Sequence, residues 1–87
     1  MATIFIPSLM QELSDGRQQI EIQGSTVRDV INNLEECCPG FKNKLMDGFK
    51  LKSNINVAVD GEVSPVGVLA KVQENSEVHF LPALGGG

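Results

Sequence analysis

Val27, Val30, Ile31 and Leu34 form the one run of apolar positions in this 87-residue chain that holds helical spacing over several turns. Arg28, Asn32, Asn33, Glu35 and Glu36 fall on the other side, so the helix has a single apolar stripe to bury. Thr26 with Asp29 three positions later is a short-chain capping box at its entry, and Pro39-Gly40 closes it. A lone stripe of this kind calls for a sheet to lie on. With 41% hydrophobic residues the chain suits one compact core and leaves no room for a second domain.

The remaining apolar positions mostly alternate, as strands require. Ala2 to Ile6 sets Thr3 and Phe5 against Ile4 and Ile6, and Pro7 ends it; Ile20 and Ile22 give the next strand, joined through the turn residues Ser14-Asp15-Gly16-Arg17 by a long, irregular loop. Phe41, Leu45 and Met46 predict a second, short helical turn over one end of the core, and Met46 to Lys52 a loop whose apolar anchors are Phe49 and Leu51. Asn54 to Val59 turns Ile55, Val57 and Val59 inward before a tight Asp60-Gly61 turn and a brief strand. Val66 to Val72, with Leu69 and Val72 as its apolar contacts, fits either a short helix or a loop, and Gly67 weakens both. Glu77 to Leu81 is the last strand, with Val78 and Phe80 inward and Glu77, His79 and Leu81 outward. This order predicts an α+β, β-grasp (ubiquitin-like) fold, a mixed sheet of four to five strands around one main helix, with the first and last strands parallel at the centre.

Charge and composition narrow the function. A net charge of −4 and seven scattered basic residues argue against nucleic acid, and no run approaches the roughly 20 apolar residues of a membrane span. Met1 to Met10 lacks the basic start and apolar stretch of a signal peptide, so a cytoplasmic protein is expected. Cys37 and Cys38 read as two reduced thiols at a helix end that, as sequence neighbours, do not face one site; no metal-binding spacing accompanies them. His79 is the single histidine and has no orienting partner for base catalysis, while Asp60 and Glu62 are explained by their turn. Lys42, Lys44, Lys50 and Lys52 form a solvated face or a contact for an acidic partner. Nothing here outlines a catalytic pocket or a bound cofactor.

The chemistry is expected at the C-terminal end. Proline cannot donate to a sheet ladder, so the last strand stops at Pro82, and Ala83-Leu84-Gly85-Gly86-Gly87 leave the domain: residues 1–82 are the folded body and 83–87 a flexible glycine tail. Such a tail reads either as a frayed terminus or as a thread thin enough for a narrow active site, since glycine has no Cβ to clash with the walls. Five extended residues reach about 15 to 18 Å. A carboxylate at Gly87 would need activation, and an acyl-adenylate made from ATP supplies a leaving group that a sulfur donor can displace, giving a thiocarboxylate.

Over nearly its whole length the chain resembles the ThiS/MoaD family of ubiquitin-like sulfur carriers. The resemblance lies in the order of elements, in Thr26-Val27-Arg28-Asp29-Val30-Ile31 at the helix entry, in Asn54-Ile55-Asn56-Val57, and in Phe80-Leu81-Pro82 before the glycines. The family's terminal diglycine falls on Gly86 and Gly87; Gly85, at a variable position, makes a third glycine and a mild departure. The resemblance implies a carrier and not an enzyme, with Gly87 adenylated by an E1-like adenylyltransferase that uses ATP and then loaded by a sulfur donor. It implies a sulfur-accepting synthase as the second partner, and Leu81-Pro82-Ala83 is most similar to carriers serving cysteine synthesis, where the acceptor is a pyridoxal-phosphate enzyme. A molybdopterin synthase large subunit, thiazole synthesis and tRNA thiolation use the same tail chemistry. The family's activating enzymes grip the tail and an apolar patch on the outer sheet face, which by strand parity presents Phe5, Ala58 and Leu81, with Pro82 and Leu84 at the root of the tail. A modifier conjugated through Gly87 to lysines, and a β-grasp interaction module that is never activated, are the competing classes.

Overall fold

A computed structural model of the chain describes residues 1–82. Ala2–Phe5 (β1) and Gln19–Ile22 (β2) pair antiparallel with Ile4 opposite Ile20. Ala2, Ile4, Ile20 and Ile22 are buried and Gln19 and Glu21 exposed, the half-buried alternation their sequence predicts. The connection is a 3-10 segment, Ser8–Ser14, which turns back at Asp15 and Gly16 with φ of 59° and 82°. Both lie in the left-handed region that Asp and Gly tolerate best.

Val27–Cys37 (α1) crosses the sheet. The Thr26 hydroxyl oxygen accepts the Asp29 N–H at 3.2 Å, and the Ser25 hydroxyl donates to the Asp29 carboxylate at 3.0 Å, so the expected cap forms with Ser25 as an added partner. Val27, Val30, Ile31 and Leu34 are all buried. Each aliphatic side chain taken from water in this way contributes about 1.5–3 kcal/mol. Gly24 permits the close approach: a Cβ there would lie 2.9 Å from the Val30 nitrogen and 2.8 Å from its Cγ2.

Phe41–Leu45 (α2) buries Phe41 and Leu45 over one end of the core. Glu35 of α1 accepts the Lys42 N–H at 2.8 Å and the Gly40 N–H at 3.1 Å, which satisfies donors that the start of a helix leaves without partners. The expected loop that follows is a small hairpin, Met46–Asp47 (β3) against Lys50–Leu51 (β4). Gly48, φ 70°, takes the first turn position, and Phe49 at the tip is 87% exposed, so it anchors nothing. Leu51, the other expected anchor, does pack against the core, together with Met46 opposite it across the hairpin.

Ile55–Val59 (β5) and Glu62–Val63 (β6) are joined by Asp60-Gly61, with φ of 53° and 87° as a two-residue type I′ turn needs. Gly67–Leu69 is a single 3-10 turn, and its buried residue is Val68, not Leu69. The surrounding segment is fixed by backbone bonds to the helix entry: the Val27 N–H donates to the Ala70 carbonyl and the Val72 N–H to the Ser25 carbonyl, both at 2.9 Å. Glu77–Pro82 (β7) lies parallel to β1 and antiparallel to β5, giving the sheet order β2-β1-β7-β5-β6. A five-stranded mixed sheet with α1 on one face is the β-grasp arrangement.

Candidate functional site

β7 occupies the middle of the sheet and runs straight to the start of the tail, so whatever faces outward on β7 sits beside the tail root. His79 pairs with Phe5 on one side and with Ala58 on the other, and Ala58 pairs with Val63. Phe5, His79, Ala58 and Val63 therefore form one row across the outer face. The Phe5 and His79 rings stack with centroids 4.1 Å apart and planes 7° from parallel. Leu81, two residues further along β7 and opposite Asn56, continues the face toward the tail and is exposed.

The three body residues expected on this face do share it, but in different roles. Ala58 is only 5% exposed, because a methyl group between the larger His79 and Val63 is covered by them; it floors the row and offers little surface of its own. Phe5 is half-buried under its stack, leaving Leu81 and Val63 as the exposed apolar members. His79 does point outward as its parity requires, yet it is the hinge of the row, which parity alone did not reveal. Val63 was also missed, although the Asp60-Gly61 turn contains the signal: a two-residue turn sets 59 against 62 and 58 against 63.

Beside Leu81 a groove opens between the segment after β1 and the α2 end of the molecule, lined by Pro7, Leu9, Met10, Lys44 and Lys52. Leu9 is almost fully exposed there. Two of the four expected lysines thus line this groove. Asp60 fixes the other end of β7: its carboxylate accepts the Glu77 N–H at 2.9 Å and the Ser76 hydroxyl at 2.8 Å. The Glu77 N–H and, after it, the Ser76 hydroxyl hold the Asp60 carboxyl below its ordinary value.

Cys37 and Cys38 depart from expectation. Their sulfurs are 3.4 Å apart. Helical neighbours diverge by about 100°, but α1 stops at Cys37 and Cys38 has φ −138° and ψ 89°, which swings its side chain back alongside the first. Among the described residues no group of three or more His, Cys, Asp or Glu is placed to hold a metal ion, and no helix is long and apolar enough to cross a membrane. Gly85, Gly86, Gly87 and Leu84 lie outside the described residues, as do the side-chain surroundings of Pro82, whose backbone ends β7 opposite Ile55.

A β-grasp body whose central strand carries an outward row and leads into a glycine end defines the class of ubiquitin-like proteins. The ThiS family model matches residues 4–87, and the chain belongs to the ThiS family. It is 32% identical over 90 residues, 98% of this chain and 97% of the relative, to the sulfur carrier protein CysO of Mycobacterium tuberculosis. The CysO of an Amycolatopsis orientalis BexX/CysO complex superposes with a TM-score of 0.90 at 32% identity, covering 100% of both chains. A small archaeal modifier protein from Methanosarcina acetivorans matches with a TM-score of 0.80 over 99% of this chain and 95% of its own, at 20% identity, a likeness of fold alone.

Proposed function

We propose that this protein is a sulfur carrier that works through the carboxylate of Gly87. The observation that carries the reading is the placement of β7: one central strand supplies His79 and Leu81 to the outer face and leads directly into the glycines. A partner docked on Phe5, His79 and Leu81 would receive the tail without further search. The likeness to carriers named CysO over nearly full length supports this reading and favours cysteine synthesis as the destination.

In the proposed cycle a carboxylate oxygen of Gly87 attacks the α-phosphorus of ATP on an E1-like partner and pyrophosphate leaves. A sulfur donor then attacks the carbonyl carbon of the acyl-adenylate, a C–S bond forms, the C–O bond to phosphate breaks and AMP departs. The resulting thiocarboxylate sulfur is the nucleophile delivered to an acceptor such as the aminoacrylate of a pyridoxal-phosphate synthase. The carrier itself contributes a docking surface and a reach of about 15 to 18 Å.

Removal of Gly87 tests this. Loading of sulfur by the adenylating partner is expected to fall below detection while the thermal midpoint of the domain stays within about 2 °C of the parent, since glycine has no side chain to contribute to a core. Unchanged loading of the shortened chain would refute the role of the glycine terminus. Recovery of the parent bonded through Gly87 to lysines of other proteins, with no sulfur form, would assign it to the modifiers instead.

A further inference from the structure

The vicinal thiols are outside both the docking face and the tail, and the proposed function makes no use of them. Adjacent residues joined by a trans peptide have Cα atoms about 3.8 Å apart, closer than the 4.4 Å or more that disulfides ordinarily span, so direct S–S bonding would strain the chain. Two sulfurs held 3.4 Å apart can instead share a third atom. With sulfur bonds of about 2.3 Å, that separation subtends about 95° at the bridging centre, narrower than a tetrahedral metal prefers and suited to a pyramidal one. A zinc ion would also need further ligands, and no third His, Cys, Asp or Glu stands with the pair among the described residues.

We infer that Cys37 and Cys38 form a bidentate site for a thiophilic trivalent centre, of which a monosubstituted arsenical is the fitting class. Two thiols and an arsenic(III) oxide condense so that two S–H bonds and the As=O bond break, two As–S bonds form and one water leaves, with arsenic remaining trivalent. No oxidant or third protein ligand is required. Cys37 is exposed and Cys38 half-buried against the core, so one sulfur is open to approach while the other is held in place. Burial and the neighbouring Cys37 sulfur push the Cys38 thiol up, with Asp15 adding to this and Arg17 opposing it.

Phenylarsine oxide added to the full chain is the probe, with intact mass, competition and thermal melting as readouts. The expected result is one arsenical per chain, a raised thermal midpoint because the folded chain presents the sulfurs ready-placed, and resistance to 2-mercaptoethanol at concentrations at least about tenfold above those that strip Cys37→Ser or Cys38→Ser. Serine preserves the size of either side chain, and the circular dichroism spectrum of each variant checks that it is folded. Equal retention by either single variant, an arsenical bridging two chains, no adduct, or a lowered midpoint on binding would each overturn the inference.

Discussion

At the scale of single residues, the outer face works through contrast between covered and uncovered side chains. Phe5, His79 and Ala58 cover one another, so their exposed remainder is small; Leu81 stands clear beside the tail root. On the proposed docking surface a charge there would meet the partner before it met the core. Leu81→Glu is therefore expected to weaken binding of the adenylating enzyme at least about tenfold, close to 1.4 kcal/mol, while folding stability changes by no more than about 0.5 kcal/mol. Calorimetric titration and urea unfolding of the same preparation separate the two effects, and binding equal to the parent's would remove Leu81 from the interface. Strand parity was sufficient to put Phe5, Ala58 and Leu81 on one face, because side chains alternate whatever the fold. It could not show that His79 joins Phe5 to Ala58, since that depends on the parallel register of β1 and β7, which are separated by most of the chain. Nor could it place Cys38, whose side chain follows the backbone leaving the helix and not the helix itself.

At the scale of elements, carboxylates tie one segment to the next. Asp29 fastens the entry of α1 through the Ser25 hydroxyl, Glu35 fastens α2 through the Lys42 and Gly40 amides, and Asp60 fastens the β5–β6 turn to the start of β7. All three are held below their ordinary values, by the Ser25 hydroxyl foremost for Asp29, the Lys42 N–H for Glu35 and the Glu77 N–H for Asp60. A carboxyl whose folded value is depressed adds stability above its unfolded value, and that stability is lost as pH falls through the folded one. The urea midpoint is thus expected to hold near neutrality and to decline below about pH 4, with a shallower acid decline in Asp60→Asn, whose amide keeps an acceptor oxygen but does not titrate. Identical pH profiles for parent and variant would exclude Asp60 as a contributor. The elements with strong local signals, the Thr26 cap and the Asp60-Gly61 turn, were legible from neighbouring residues alone. The 66–72 segment was not, because its shape is set by hydrogen bonds to Ser25 and Val27 far away in sequence. The β3–β4 hairpin was hidden by strands of two residues each, too short to show an alternation, and by an exposed phenylalanine that looks like a core residue in sequence.

At the scale of the whole molecule, the fold holds its outer face on a rigid support. β7 is paired on both sides and backed by α1, so the outer face and the tail root keep a fixed relation to each other. The order of strand, strand, helix and strand was sufficient to anticipate this arrangement, because one apolar helical stripe and several half-buried strands have few ways to cover each other. Intact mass spectrometry of the protein taken from its own cells tests the carrier reading most directly. A population heavier by the exchange of one oxygen for one sulfur, localised by fragmentation to Gly87, is the predicted result. Protein that carries only oxygen at that carboxyl, even after incubation with its adenylating enzyme, ATP and a sulfur donor, would contradict it.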